Sequence, residues 1–165
     1  MAIVVEDGTR PAGANSYVTV ADARIYADAR GLVLDVDDAV VEKQLLLATD
    51  WLERLGYSYI GYKFTQDQEL QWPRYKATLY GFPLTSSDIP NELVVAQILL
   101  AVELSANVDL TPTSTGRFKI RTKVDVLETW YSDTINTTGL PNMPAVQDTL
   151  APLLRNQGLL RTVRA

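Results

Sequence analysis

The sequence predicts a mainly α-helical fold, a small bundle of three principal helices followed by a C-terminal arm that holds a β-strand or hairpin and a short terminal helix. Three segments repeat apolar residues at helical spacing and begin with residues that cap helices. After residue 117 the apolar period changes from near four to two, which is typical of a strand. A length of 165 residues fits one domain, or one domain with an arm.

The first two helices are predicted over residues 20–30 and 37–55. Thr19 is expected to cap the first helix, with Asp22 as the acid of a capping box. At the start of the second helix, aspartates favour the positive end of the helix dipole, and Gly56 is expected to end it. The apolar face of this second helix consists of Val41, Leu45, Ala48, Leu52 and Leu55.

The third helix is predicted over residues 90–106, with Asp88 as its N-cap and Pro90 in its first turn. Leu93, with the apolar residues that follow it at spacings of three and four, begins the buried stripe of this helix.

Between the second and third helices, residues 57–86 are rich in aromatic side chains, with glycine and proline among them. An irregular, well-packed connection with one short helical turn is the favoured interpretation, because the rings can fill the space between helices. The alternative is that the rings stack on bases, as in proteins that bind single-stranded nucleic acid. Few basic residues lie nearby, which favours packing. The weak candidates for nucleic-acid contact are Lys63, Trp72, Arg74, Tyr75 and Lys76.

The chain is predicted to consist of an N-terminal arm over residues 1–14, a helical body over residues 15–110 and an extended C-terminal arm over residues 111–165. The C-terminal arm is expected to contain a strand over residues 117–131 and a short helix over residues 144–155.

The strand of the C-terminal arm requires a pairing partner, because a lone amphipathic strand leaves backbone groups unpaired on both edges. The N-terminal residues 3–5, a hairpin return near residues 129–135 and a neighbouring subunit are the alternatives. Much of the pairing is expected from another subunit. Candidates for this subunit interface are Phe118, Lys119, Ile120, Arg121, Lys123, Val124, Val126, Trp130, Tyr131, Leu150 and Leu153.

Composition excludes most catalytic designs. The chain has no cysteine and no histidine, which rules out thiolate or imidazole metal sites and the Ser-His-Asp and Cys-His hydrolases. Asp35, Asp37 and Asp38 could hold a hard cation, but capping of the second helix accounts for them. We therefore expect no enzyme, no cofactor and no metal. No apolar stretch approaches the ~20 residues that a bilayer demands, so no membrane contact is expected and an intracellular protein is predicted.

Charge is divided unevenly along the chain. Residues 1–116 hold 8 basic and 16 acidic side chains, a net charge of −8, whereas residues 117–165 hold 7 basic and 4 acidic ones, a net charge of +3. An acidic body with a basic C-terminal part can contact two kinds of surface, or a neighbouring copy of itself. The overall acidity argues against a protein that coats nucleic acid.

Several short motifs resemble those of a known family. The segment Asn15-Ser-Tyr-Val-Thr, the run Gln71-Trp-Pro-Arg and the run Ile89-Pro-Asn-Glu occur in the same order as in the head–tail connector proteins of tailed bacteriophages. Many members of that family are described as DnaT-like single-stranded DNA-binding proteins. The resemblance covers residues 14–155. Asp125 stands where the family pattern has glycine, which puts the bend of the arm in question.

The resemblance implies a structural virion protein, a head-completion adaptor that forms a homo-oligomeric ring of twelve subunits beneath the portal protein. Such a ring would contact a tail-side connector or tail protein, and double-stranded DNA would pass through its channel without specific binding. Its location would be the neck of the virion, after a pool in the host cytoplasm. The alternative that the resemblance leaves open is a DnaT-like accessory protein that binds single-stranded DNA.

Overall fold

In a computed structural model of the chain, the described residues are 2–108, 110 and 143–155, together with the backbone of two strands at 119–123 and 128–131. The four helices are α1 (Val20–Asp28), α2 (Asp38–Glu53), α3 (Asn91–Ser105) and α4 (Pro144–Leu150), and a 3₁₀ turn (Ala151–Leu153) follows α4. The strands are β1 (Tyr62–Lys63), β2 (Arg74–Tyr75), β3 (Thr78–Leu79), β4 (Phe82–Pro83), β5 (Lys119–Lys123) and β6 (Glu128–Tyr131). The predicted mainly helical fold is confirmed.

The ends of α1 and α2 follow the predicted capping chemistry. The Thr19 hydroxyl accepts a hydrogen bond from the Asp22 N–H at 3.0 Å, and the Asp37 carboxylate accepts one from the Ala39 N–H at 2.9 Å. Asp38 forms an ion pair with Arg24. The predicted caps of both helices are therefore confirmed, and these aspartates have structural partners.

The start of α3 differs from the prediction. Pro90 is the residue that precedes the helix, and its side chain makes no capping hydrogen bond. Asp88 instead accepts a hydrogen bond from the Thr85 N–H at 2.6 Å. The N-cap assignment of Asp88 is wrong, because its carboxylate closes the turn before the helix.

The core lies between α1, α2 and α3. Its buried cluster consists of Val18, Ala23, Ala27, Leu34, Val41, Leu45, Ile98 and Ala101. Helix α2 packs along α3, and α4 also packs against α3. The predicted apolar face of α2 is buried at four of its five positions, and burial of such side chains is the main source of stability in a helical bundle.

One buried polar side chain joins the helices to the N-terminal segment. Gln97 of α3 is fully buried, and its Oε1 accepts a hydrogen bond from the Tyr17 N–H at 2.9 Å. Its Nε2 lies 2.8–3.1 Å from acceptors on Ser16, Leu45 and Thr49. Because its polar atoms have partners in the core, Gln97 can be buried, and it fixes where Tyr17 leaves the N-terminal segment.

The N-terminal segment predicted as an arm packs on the body over its described part. Val5 forms a parallel bridge with Ser16, and the Arg10 guanidinium donates a hydrogen bond to the Ser86 carbonyl at 3.0 Å. Gly8 has a φ of +96°, and a Cβ at this position would lie 1.9 Å from the Ser87 carbonyl oxygen. Only glycine fits this close approach.

The aromatic segment over 57–86 is irregular for most of its length, as predicted, but it contains two short antiparallel strand pairs and not the predicted helical turn. Strand β1 pairs with β2, and β3 pairs with β4. Each strand has two residues, which is too short for the alternation by which strands are recognised. Tyr80 (φ +52°) and Gly81 (φ +86°) form the two-residue turn between β3 and β4, as the turn of a tight hairpin requires.

The chain divides into two compact units. One comprises residues 1–108 and 143–165, and the other comprises residues 109–142. In the second unit β5 pairs with β6 in an antiparallel hairpin, with an irregularity between Lys119 and Arg121. The hairpin return is thus the alternative that holds along this edge of β5. That another subunit supplies much of the strand's pairing stays a prediction.

Helix α4 belongs with the helical body, although the sequence placed it in the arm. Leu150 and Leu153 were expected at a subunit interface, but their exposed fractions are 1% and 0% within the single chain. Their burial against their own chain corrects that assignment. Within the described residues, no helix combines the length and the apolar character needed to span a membrane.

Candidate nucleic-acid interface

Two tyrosines lie side by side on the open face of the β1–β2 pair. Tyr62 is directly opposite Tyr75 in the antiparallel register, and Lys63 is opposite Arg74. Residues that face each other across two strands point to the same side. Tyr62 and Tyr75 are 61% and 50% exposed, whereas Arg74 is 4% exposed. One side of the pair therefore presents two aromatic rings to solvent, and the other side is buried.

Cations accompany these exposed rings. The Arg155 guanidinium carbon lies 5.5 Å from the ring centre of Tyr62, and the Lys76 Nζ lies 5.2 Å from that of Tyr75. Phe64, which is 40% exposed, has the Arg10 guanidinium 4.5 Å from its ring centre. These distances are within the range of cation–π contacts. We call this set the aromatic platform: Tyr62, Phe64 and Tyr75 with Arg10, Lys76 and Arg155.

The chain beyond α4 brings Arg155 to the aromatic platform. The Ile60 N–H donates to the Leu153 carbonyl at 2.9 Å, and the Arg155 N–H donates to the Ser58 carbonyl at 2.7 Å. The Arg155 guanidinium also donates to the Gly61 carbonyl at 2.7 Å. This short backbone pairing fixes a cation beside Tyr62 from a position more than 90 residues away in the sequence.

Arg74 is used inside the fold. Its guanidinium donates to the carbonyls of Ile60 at 2.8 Å and Gly61 at 3.1 Å, and to the carbonyl and the side-chain oxygen of Gln71 at 3.3 and 3.2 Å. Burial, followed by repulsion from Arg155, lowers the pKa of Arg74 from its usual value. With four acceptors around it, Arg74 stabilises the aromatic segment and is not free to bind phosphate.

Trp72 and Tyr59 form the buried aromatic pair beneath the strands. Both are 0% exposed, and their rings meet edge to face with centres 5.8 Å apart. The Tyr59 hydroxyl donates to the Leu52 carbonyl at 3.1 Å, and burial raises the pKa of Tyr59 above its usual value. These two rings provide the packing that the sequence favoured for the whole segment.

A carboxylate at the end of α2 fixes the chain just before β2. Glu53 Oε1 accepts a hydrogen bond from the Tyr17 hydroxyl at 2.6 Å, and its Oε2 accepts one from the Gln71 N–H at 2.8 Å. Burial raises the pKa of Glu53 to about 7, against the opposing effect of these hydrogen bonds. Burial and the charge of Glu53 raise the pKa of the Tyr17 hydroxyl well above its usual value.

A family model described as "Putative DnaT-like ssDNA binding protein" matches the chain over residues 1–165. The chain belongs to this DnaT-like family. The resemblance to DnaT-like proteins is thereby confirmed, and the match carries no statement about a connector role. No curated protein and no solved structure matches the chain.

The five predicted nucleic-acid candidates of this DnaT-like chain separate into three groups. Tyr75 and Lys76 belong to the aromatic platform. Trp72 and Arg74 are buried, and their candidacy is wrong because each is committed to contacts within the fold. Lys63 is half-buried and lies opposite Arg74, on the other side of the strand pair from the two tyrosines.

Four residues of the aromatic platform were missed as site residues. Tyr62 and Phe64 stand within the aromatic run, and no local pattern singles them out, because β1 has only two residues. Arg10 and Arg155 are remote in sequence and carry no local signal. Among the described residues, no group of three acidic side chains could hold a metal ion.

Most of the predicted interface residues lie outside the described residues or in strands described only as backbone. The first group is Phe118, Val124 and Val126, and the second is Lys119, Ile120, Arg121, Lys123, Trp130 and Tyr131.

Proposed function

We propose that this DnaT-like chain binds single-stranded DNA through the aromatic platform. The observation that carries the proposal is the pair of exposed tyrosines, Tyr62 and Tyr75, side by side on β1 and β2 with a cation near each ring. Aromatic rings that face solvent stack on unpaired bases, and nearby cations attract the phosphate backbone. The description of the family gives independent support for this ligand.

The aromatic platform favours a single strand over a duplex. In a duplex the faces of the bases are stacked on one another, so exposed rings gain little from them. In a single strand every base has a free face, and stacking tolerates any sequence. We therefore expect binding with little sequence preference and a clear preference for unpaired DNA.

Charge sets the expected strength of binding. Arg10, Lys76 and Arg155 supply three cations, whereas Asp67 and Glu69 lie in the same segment and the whole chain carries a net charge of −5. Few phosphate contacts and an acidic body together predict micromolar or weaker affinity that falls steeply with added salt.

The test is fluorescence anisotropy of a labelled oligo(dT) of about 20 nucleotides with the wild type and with Tyr62→Ala/Tyr75→Ala. Loss of two stacking rings should weaken binding by about tenfold or more, since each stacked base contributes about 1–3 kcal/mol. Tyr80→Ala is the matched control, because Tyr80 is 68% exposed but lies in the turn of the other strand pair. Unchanged affinity in the double variant would overturn the proposal.

A second proposal is a head–tail connector in a tailed bacteriophage. The observation that favours it is the separation of a strongly acidic helical part from the distinct unit over residues 109–142, which contains the β5–β6 hairpin. An acidic wall would let double-stranded DNA slide through a channel without binding, and a separate unit could join the portal protein or a neighbouring copy. The subunits would form a ring of twelve at the neck of the virion.

Electron microscopy and a comparison of single-stranded with double-stranded DNA binding together distinguish the two proposals. A connector should form rings when the purified chain is mixed with its portal protein, and should show no preference for single-stranded over double-stranded DNA. A chain that stays monomeric with the portal protein, and that prefers oligo(dT) to a duplex of the same length, supports the DNA-binding function instead.

A further inference from the structure

Glu53 and Tyr17 together hold two consecutive backbone N–H groups of the aromatic segment. Glu53 Oε2 accepts the Gln71 N–H at 2.8 Å, and the Tyr17 hydroxyl oxygen accepts the Trp72 N–H at 3.3 Å. The Tyr17 hydroxyl in turn donates to Glu53 Oε1 at 2.6 Å. The carboxylate and the phenol thus act as one unit that joins the end of α2 to the chain directly before β2.

This unit is connected to the aromatic platform through Gln71 and Arg74. The side-chain oxygen of Gln71 accepts a hydrogen bond from Arg74 at 3.2 Å, and Arg74 also donates to the carbonyls of Ile60 and Gly61 on the β1 side. The position of Gln71 is closely confined, because a Cβ on Gly56 would lie 2.5 Å from its side chain. A shift of Gln71 therefore changes how β1 and β2 are held together.

Resting on the proposed DNA-binding function, we infer that Glu53 is a positioning residue for the aromatic platform and that its protonation state sets how firmly Gln71 and Trp72 are held. Loss of this anchorage would loosen the register that places Tyr62 beside Tyr75. The inference adds to the proposed function a dependence on pH.

The burial of Glu53 determines whether a rise in pH strengthens or weakens this anchorage. Four groups face it from the packed segments: the neutral phenols of Tyr17 and Tyr59, and the cations of Lys63 and Arg74. Desolvation outweighs the cations and raises the pKa of Glu53 to about 7. In an opened state, in which water reaches the carboxyl, the pKa returns to its ordinary value of 4.5. The closed state thus binds the proton more tightly, so a rise in pH through neutrality favours opening.

The absence of histidine makes this dependence measurable. A chain without histidine has few groups that titrate between about pH 6 and pH 8, and the N-terminal amine is the other ordinary one. Glu53→Gln removes the side-chain carboxyl and leaves the N-terminal amine unchanged, so it is the matched control. The local response can be followed in the protein without DNA.

The first measurement is an NMR titration of the backbone N–H signals of Gln71 and Trp72 in the free protein. Both signals should shift in the wild type with one midpoint near neutral pH, and neither should shift in this way in Glu53→Gln. The second measurement is the oligo(dT) affinity, which should be weaker at about pH 8 than at about pH 6 in the wild type, by no more than about tenfold. Glu53→Gln should show no such difference.

The outcomes separate this inference from the proposed function. If the two N–H signals do not titrate near neutral pH, Glu53 does not control the anchorage and the inference is wrong. If they titrate while the oligo(dT) affinity stays constant with pH, the anchorage is not coupled to the aromatic platform, and the inference is equally wrong. If oligo(dT) does not bind at any pH, the proposed function fails, and the NMR titration still decides whether Glu53 governs the anchorage.

Discussion

The two sides of the β1–β2 pair make opposite uses of similar residues. On one side, Trp72, Tyr59 and Arg74 are buried and joined by ring packing and hydrogen bonds. On the other, Tyr62 and Tyr75 face solvent with cations beside them. Both sides combine two aromatic residues with basic residues, so composition alone does not distinguish them. The difference teaches that the place of a ring in the fold, rather than composition, decides which ring supports the structure and which can meet a ligand.

The largest expected loss of stability comes from truncating a ring on the buried side of the β1–β2 pair. Trp72→Ala removes a fully buried ring and should lower the free energy of unfolding by about 3–5 kcal/mol, through lost burial and the cavity left behind. Urea unfolding followed by circular dichroism measures the loss. Tyr57→Ala is the control, because Tyr57 is 75% exposed and should change stability by less than about 0.5 kcal/mol. Equal stability of the two variants would contradict the assignment of Trp72 to the core.

Arg74→Met should have the next largest effect. The substitution keeps most of the side-chain volume but leaves the carbonyls of Ile60, Gly61 and Gln71 without their donor, at a cost of about 2–4 kcal/mol. Lys76→Met changes an exposed neighbour in the same way and should cost less than about 0.5 kcal/mol. Thermal unfolding of both variants tests the difference. If Arg74→Met melted like the wild type but lost oligo(dT) binding, Arg74 would be a ligand residue after all.

The dependence of stability on pH should show a smaller effect. Because the folded-state pKa of Glu53 is raised from 4.5 to about 7, the stability that its proton contributes is fully present below about pH 4.5 and is lost as pH rises to about 7. Partial exposure of Glu53 reduces the expected loss to about 1–2 kcal/mol. Urea unfolding at several pH values should show this decline in the wild type, and its persistence in Glu53→Gln would assign it to another group.

The smallest effect on stability should come from the exposed side. Tyr62→Ala should cost no more than about 1 kcal/mol, the usual contribution of an aromatic pair across two strands. The same change should nevertheless weaken oligo(dT) binding severalfold, since it removes a stacking surface. Comparison of melting temperature with anisotropy in one variant therefore separates the two sides. A large loss of stability with unchanged oligo(dT) affinity would mean that Tyr62 supports the fold and does not bind DNA.

The helices could be predicted from the sequence, but only part of the candidate site could. Thr19 and Asp37 cap helices by local contacts that the sequence displays, and the apolar repeat of α2 extends over sixteen residues. The two-residue strands display no period, so β1 and β2 could not be recognised. Arg155 reaches Tyr62 only because α4 packs on α3 and directs the following residues along Ser58 and Ile60. Contacts of this kind depend on tertiary packing and leave no local pattern.

The return of the chain through α4 makes the unit over residues 109–142 an insertion. The chain leaves the helical body after α3 and comes back at α4, two helices that pack on each other. Insertions between packed elements can change in length and sequence while the host structure keeps its own contacts. The β5–β6 hairpin can therefore diverge in length and sequence, and removal of everything beyond residue 117 would take away α4 and Arg155 together with it.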